Sequence, residues 1–271
     1  MKRKIPLLLL CLLFLGIFLY SGIRILGILR EYRVGKQTYE ALTEFVQIPE
    51  TTQPASETTR PDKKEKPSTA LLPEQTQPAE EEIIWPVVDF EGLQDINPDV
   101  AAWIYVEGTP INYPVVRGED NDEYLYQLFD GTYNSSGSIF MDYRNERDFS
   151  DRHTILYGHH MSGDGMFAWV NEYVAQDFSK EHPTCLLLTP EANYTLEFFA
   201  GYVDDTDSDA WRLNFSSDEA YGLWLEQSIE KSTFTGSVIP TSQERVVTFS
   251  TCAYDFEDAR CVLLGVLKPQ H

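Results

Sequence analysis

Apolar and polar positions along this 271-residue chain fall into three regimes. Ile5 to Ile23 is a nineteen-residue run without a charge, preceded by Lys2-Arg3-Lys4. That is long enough for one membrane-crossing helix. Gln47 to Glu82 is rich in Pro, Thr, Glu, Gln, Ser and Lys and nearly free of large apolar residues. Such a stretch buries too little surface to fold and reads as a disordered tether. From Ile83-Ile-Trp85 onward, short β-branched and aromatic runs alternate with turn residues. The pattern predicts strands at 111–116, 137–143, 154–158, 184–189, 194–203, 246–251 and 261–267, with a hairpin turn at Pro190-Glu-Ala-Asn193.

Helices are predicted between them. Residues 35–46 form a short one and 89–96 another. Asn97-Pro98 carries the marks of a helix start, with Asn97 as cap and 100–106 following. Further helices are expected at 122–129 and 166–174. Ser216-x-x-Glu219 is a capping box, and Tyr221, Trp224, Leu225 and Ile229 share one face at helical spacing. That places a helix at 217–231, between the hairpin and the last strand pair. The fold expected is mainly β with added helices, a closed or nearly closed β-barrel of about 190 residues.

The division expected is 1–30 as a cytoplasmic N-terminus with a transmembrane signal-anchor, 31–82 as a short helix and tether, and 83–271 as the folded catalytic domain. The basic N-terminus stays cytoplasmic and the C-terminal bulk lies outside, although Arg24, Arg30 and Arg33 oppose that bias. No small-x-small cleavage site follows the apolar run. The net charge of -22 is uneven: residues 1–82 hold eleven basic and eleven acidic residues, so the remaining ten and thirty-two fall in 83–271. A domain so acidic repels phosphates, which excludes nucleic acid as partner.

The four cysteines, Cys11, Cys185, Cys252 and Cys261, show no metal-ligand or CxxC spacing. The last apolar stretch reads as a strand, a seven-residue loop and a second strand, which sets Cys252 beside Arg260. A cation beside a thiol favours thiolate, and a guanidinium holds an oxyanion with forked donors. A base is then needed. Among five histidines, His159 and His160 follow the strand 154–158 at once, where Gly158 permits an unusual backbone that projects an imidazole into a cleft. With His159 as acid and base, the set performs acyl transfer through a thioester. Alternation turns Cys261 to the opposite face, as packing, and Cys185 reads likewise. Asp204-Asp-Thr-Asp-Ser-Asp209 alternates carboxylates but lacks the Gly and late Glu of a calcium loop, and reads as solvated. No metal or cofactor is expected.

Thr-Phe-Ser-Thr-Cys252 with Arg260, Leu-Tyr-Gly-His159, and Gly-Ser-Ile-Phe-Met-Asp-Tyr-Arg-Asn145 together resemble a sortase, over roughly residues 85–268. The helix 217–231 and the helical lead-in resemble class B. The resemblance implies the eight-stranded sortase barrel with N-terminal helices and an extra helix before the last two strands. It implies a single-pass, membrane-anchored transpeptidase with an extracellular catalytic domain. Such an enzyme cuts a sorting signal after Thr and joins the new carboxyl to a peptidoglycan-precursor or pilin amine. It makes Cys252 the nucleophile, His159 the acid and base and Arg260 the oxyanion group. Ser250 and Thr251 are expected to meet the sorting peptide through backbone and hydroxyls, and Tyr254 to line the cleft. A cysteine peptidase or amidase transferring to water, and an inactive tethered binding module, are the alternatives. Papain-like peptidases place Cys upstream of His, the reverse of the order here.

Overall fold

A computed structural model describes residues 4–49, 84–161, 163 and 165–270. Two short strands, β1 (Val46–Gln47) and β2 (Val87–Val88), pair with each other. Eight more close into a barrel: β3 (Val100–Tyr105), β4 (Asn112–Val116), β5 (Ile139–Met141), β6 (His153–Tyr157), β7 (Thr184–Leu188), β8 (Asn193–Asp205), β9 (Val246–Cys252) and β10 (Ala259–Pro269). Their order around the barrel is β10-β8-β7-β3-β4-β5-β6-β9, and β9 pairs with β10 to close it. The pairs β4–β5 and β6–β9 are parallel and the rest antiparallel. The expected β class and closed barrel are therefore what the chain forms.

Helix α1 runs unbroken from Lys4 to Leu42, joining the apolar run and the predicted short helix into one rod. Its C-terminal third docks on the barrel. Tyr39 and Leu42 are buried, Tyr39 Oη donates to Gly137 O at 2.7 Å, and Asn134 Nδ2 donates to Glu31 O at 2.9 Å. A Cβ on Gly35 would stand 2.8 Å from Ser136 Oγ, so glycine permits the close approach. Strand β1 follows α1 and pairs with β2, ahead of helix α2 (Phe90–Ile96). Residues 31–49 thus belong to the folded body, and the chain leaves and re-enters it at adjacent points. The tether expected at 47–82 lies, from residue 50 on, outside the described residues.

Other local expectations need correction. Helix α2 (Phe90–Ile96) starts at the Asp89 cap as the pattern requires. Asn97, however, caps no helix after itself: its side chain accepts from the Asp99 amide at 2.9 Å in a two-residue turn that opens strand β3. The predicted helices at 122–129 and 166–174 contract to 3-10 turns at Glu123–Leu125 and Ala168–Val174. A six-residue helix α3 (Gln176–Glu181), unforeseen, follows.

Alternation along the last strands separates two cores. Val247, Phe249, Cys261 and Leu263 point inward, with Ile104 and Leu187, which pair with each other across β3 and β7. Val246, Val262, Leu264 and Val266 point outward, beneath helix α4 (Asp218–Lys231). That helix buries Tyr221, Trp224, Leu225 and Ser228, whereas Ile229 is 36% exposed. Its cap is Ser217, whose side chain accepts from the Ala220 amide, and not Ser216.

Candidate active site

Strands β9 and β10 place Cys252 directly opposite Arg260. Both lie on the outward face, as Ser250 and Val262 do, because alternate residues of a strand share a side. The parallel pairing of β6 with β9 sets Tyr157 level with Ser250, and Gly158 N donates to Ser250 O at 3.1 Å. Two residues beyond Tyr157, His159 arrives level with Cys252. All three side chains border one cleft of about 410 Å³, with Asn121, Leu125, Tyr157 and Trp211 among its other walls.

The glycine before His159 acts otherwise than expected. Gly158 is not among the glycines with positive φ; a Cβ there would stand 2.7 Å from the Phe167 ring. Its missing side chain makes room for a core aromatic beneath the histidine. The His159 ring is oriented by Leu125, whose carbonyl accepts from Nε2 at 2.7 Å. A carbonyl only accepts, so Nε2 carries hydrogen and the lone pair of the neutral ring is on Nδ1. The Leu125 carbonyl is itself backed by Gly137, at φ 57, where a Cβ would come within 2.5 Å of that oxygen.

Arg260 Nη1 donates to Ala259 O at 3.0 Å, and the guanidinium enters no ion pair among the described residues. Asp204 is opposite Arg260 across β8 and β10, but its carboxylate is held by Lys231 of α4 at 2.7 Å. Burial disfavours the Asp204 anion, yet the Lys231 hydrogen bond and charge outweigh it and hold the carboxyl below its usual range.

Three expected substrate contacts come apart. Ser250 borders the cleft, with its Oγ 3.3 Å from Trp211 Nε1 as acceptor. Thr251 faces the other way, and its Oγ1 is buried without a hydrogen-bond partner among the described residues, so it meets the cleft through backbone. Tyr254 is 78% exposed and is not a cleft wall; its ring lies 5.2 Å from that of His160. His160 turns away from His159: its Nδ1 lies 3.0 Å from Cys252 O and 2.6 Å from Asn171 Nδ2.

The remaining cysteines are packing. Burial pushes the Cys261 thiol up to about 12 and Cys185 higher still, so neither supplies thiolate at neutral pH. Sequence reasoning missed two groups. Asp142, fully buried beside the cleft, accepts from Arg144, Asn121 and Tyr157; burial opposes its ionisation, but the Arg144 hydrogen bonds prevail and hold it below the carboxylate range. The Asp-x-Arg spacing after strand β5 was the available signal. His153 is buried between Arg212 O and Thr248 Oγ1, each at 2.7 Å, and burial lowers it to about 4.

A half-exposed thiol, an imidazole with a fixed tautomer and an unpaired guanidinium on one rim of a closed barrel form a site for cysteine acyl transfer. No family model matches the chain. It is 36% identical over 178 residues to sortase B of Staphylococcus aureus (strain NCTC 8325 / PS 47), covering 65% of this chain and 73% of that one. The solved Staphylococcus aureus sortase B–substrate complex superposes with TM-score 0.64 at 34% identity, over 67% of this chain and 85% of that one. A sortase B complexed with triglycine gives the same score and identity, over 67% and 86%. The chain belongs to the sortase B family and is a cysteine transpeptidase.

Proposed function

We propose that this chain anchors surface proteins through a thioacyl-enzyme formed on Cys252. The observation that carries the reading is the convergence of Cys252, His159 and Arg260 on one cleft from three separate strand ends. Cys252 gives its thiol proton to Nδ1 of His159, and the thiolate attacks the carbonyl carbon of the residue before the scissile bond, Thr in the expected signal. The oxyanion that forms is held by Arg260. His159 gives its proton to the leaving amine, the C–N bond breaks, and a thioester remains on Cys252. An acceptor amine then attacks; His159 takes its proton, the C–S bond breaks, and the thiolate returns. The Leu125 carbonyl is the third group of the set, fixing the ring so that Nδ1 serves both transfers.

The Staphylococcus aureus relative solved with substrate and the sortase B solved with triglycine support peptide donor and amine acceptor as the two partners. The acceptor assigned here is a cell-wall or pilin amine. Among the described residues one helix, over Leu10–Phe45, is long and apolar enough to cross a membrane. It serves as the anchor, with the N-terminus cytoplasmic and the barrel outside.

The test is product analysis by mass spectrometry on the full chain in detergent, with a panel of C-terminal sorting peptides, with and without amine. The expected result is cleavage after Thr and a peptide–amine ligation product that grows at the expense of free acid. Cleavage at the same rate with no ligated product at any amine concentration would make the chain a peptidase.

A further inference from the structure

Helix α1 passes from its apolar run onto the barrel without a break, and that fixes which part of the barrel lies nearest the run. Residues 23–30 are all exposed, and among the described residues the first hydrogen bonds from α1 to the barrel are at Glu31. From there the segment 134–138 runs alongside the helix in the same direction. Asn134 and Ser135 meet Glu31, Ser136 lies against Gly35, and Gly137 and Ser138 meet Tyr39. Two residues of an extended segment advance about as far as four of a helix. One residue back from Asn134, Tyr133 therefore stands roughly level with Leu29. Exposed apolar side chains continue along the rod through Ile25, Leu26, Ile28 and Leu29. Tyr133 lies where that apolar surface stops.

The barrel surface at that level differs from the rest. Tyr133 is 71% exposed and Tyr126 49%, and their rings stack with centroids 6.2 Å apart. The backbone holds the pair in place, since Asn134 N donates to Tyr126 O at 2.8 Å. Beyond residue 82 acidic residues outnumber basic ones by 32 to 10, yet residues 124–141 contain one charge, Asp130. Single exposed tyrosines are ordinary. Two stacked on an uncharged patch where an apolar rod ends suit a membrane interface, because the phenol ring sets its apolar body toward acyl chains and its hydroxyl toward water. Arg30 and Arg33 lie near the same level of α1. Both are exposed and enter no ion pair among the described residues, so their guanidinium forks are available to lipid phosphates.

We propose that Tyr126 and Tyr133 of the barrel, with Arg30 and Arg33 of α1, form a second membrane contact that seats the barrel in the headgroup layer of the bilayer. The proposal rests on the reading of α1 as anchor and adds the barrel's own surface to it. The seat bears on the site through geometry. The Tyr126 ring lies 6.1 Å from that of His159, so two aromatic rings separate the His159 side of the cleft from lipid. The cleft then opens beside the membrane surface.

The experiment uses the full chain in phosphatidylcholine–phosphatidylglycerol vesicles whose acyl chains carry bromine, a contact quencher of indole fluorescence, either near the headgroup or near the bilayer centre. Tyr133→Trp puts an indole at the seat. Wild type already holds five tryptophans, so the signal is the difference between the two chains. The added indole is expected to be quenched roughly twofold more by shallow bromines than by deep ones. No quenching beyond wild type, or equal quenching at both depths, overturns the proposal. Adding Arg30→Gln and Arg33→Gln is expected to cut the shallow quenching by roughly half. An unchanged value overturns the phosphate contact. Tyr133 is not a cleft wall, so Tyr133→Trp is expected to turn over soluble peptide in detergent as wild type does. Thr132→Trp, at the neighbouring exposed position, repeats the measurement if the first substitution disturbs the fold. Carbonate extraction of the same vesicles reports the anchor separately. A chain that washes off removes the anchor reading and the seat together. A chain that stays, with its added indole unquenched, removes the seat alone.

Discussion

The oxyanion role proposed for Arg260 requires that its charge be left available, and one lysine keeps a neighbouring carboxylate away from it. Asp204 faces Arg260 across the β8–β10 pair, where opposite side chains come within reach of each other. Lys231 draws its carboxylate away to the α4 side. In Lys231→Met, Asp204 is expected to turn to Arg260 and occupy the donors that the proposed mechanism gives to the oxyanion. Steady-state kinetics should show kcat reduced roughly threefold to tenfold, peptide KM little changed, and recovery in Lys231→Arg. A Lys231→Met enzyme with full kcat would mean that Asp204 does not compete. At this scale the sequence was most legible where register does the work. A strand, a seven-residue loop and a strand set Cys252 against Arg260, and the structure pairs them so. It was least legible where burial decides. His153 stands between Arg152 and Thr154 in a run that looks solvated, yet strand β6 turns it into the core. Tyr254 looked like a cleft wall but sits on the loop past the strand end, where alternation no longer predicts direction.

Among the elements, α1 most changes the picture. Arg24, Arg30 and Arg33 interrupt its apolar pattern, so one rod read as two pieces joined by nothing in particular. The spacing of Tyr32, Gly35, Tyr39 and Leu42, three and four residues apart, was the sign of a docked face. The 3-10 turns at 123–125 and 168–174 were overcalled because their apolar spacing fits an α-helix as well, whereas packing against the barrel tightens them. Since β1 and β2 hold the chain's exit and re-entry side by side, excising residues 51–82 and closing the gap with a short Gly-Ser turn should leave the barrel intact. Detergent-solubilised wild-type and excised chains are expected to agree in thermal midpoint within a few degrees and in kcat within about twofold. Loss of folding would show that the excised residues are part of the body. Undocking α1 should act differently. Tyr39 holds Gly137, Gly137 backs the Leu125 carbonyl, and that carbonyl orients His159. Gly137→Ala, at a left-handed backbone position with no room for Cβ, is expected to lower kcat more than it raises peptide KM.

For the whole molecule, stability carries a pH signature from His153. Burial lowers its folded value to about 4, against an ordinary 6.5, so the unfolded chain binds the proton first. The sign follows: stability from this group is complete above pH 6.5 and is lost as pH falls toward 4, by on the order of 3 kcal/mol. Urea titrations of the full chain in detergent, read from tryptophan fluorescence, should show that loss in wild type and a flatter profile between pH 6.5 and 4 in His153→Gln. Equal slopes would mean that His153 is hydrated or protonated when folded. The same scale explains what the acidic surface does. The excess of 32 acidic over 10 basic residues beyond residue 82 repels anionic polymers.

The central claim is that acyl transfer runs through the sulfur of Cys252, and intact-mass analysis tests it most directly. The full chain is incubated with a sorting-signal peptide without amine, quenched in acid and mapped by proteolysis. The expected result is an adduct equal in mass to the peptide's N-terminal fragment ending in Thr, located on Cys252, absent in Cys252→Ala and strongly reduced in Arg260→Ala. An adduct of that mass persisting in Cys252→Ala, or cleavage by wild type with none ever trapped on Cys252, would contradict it.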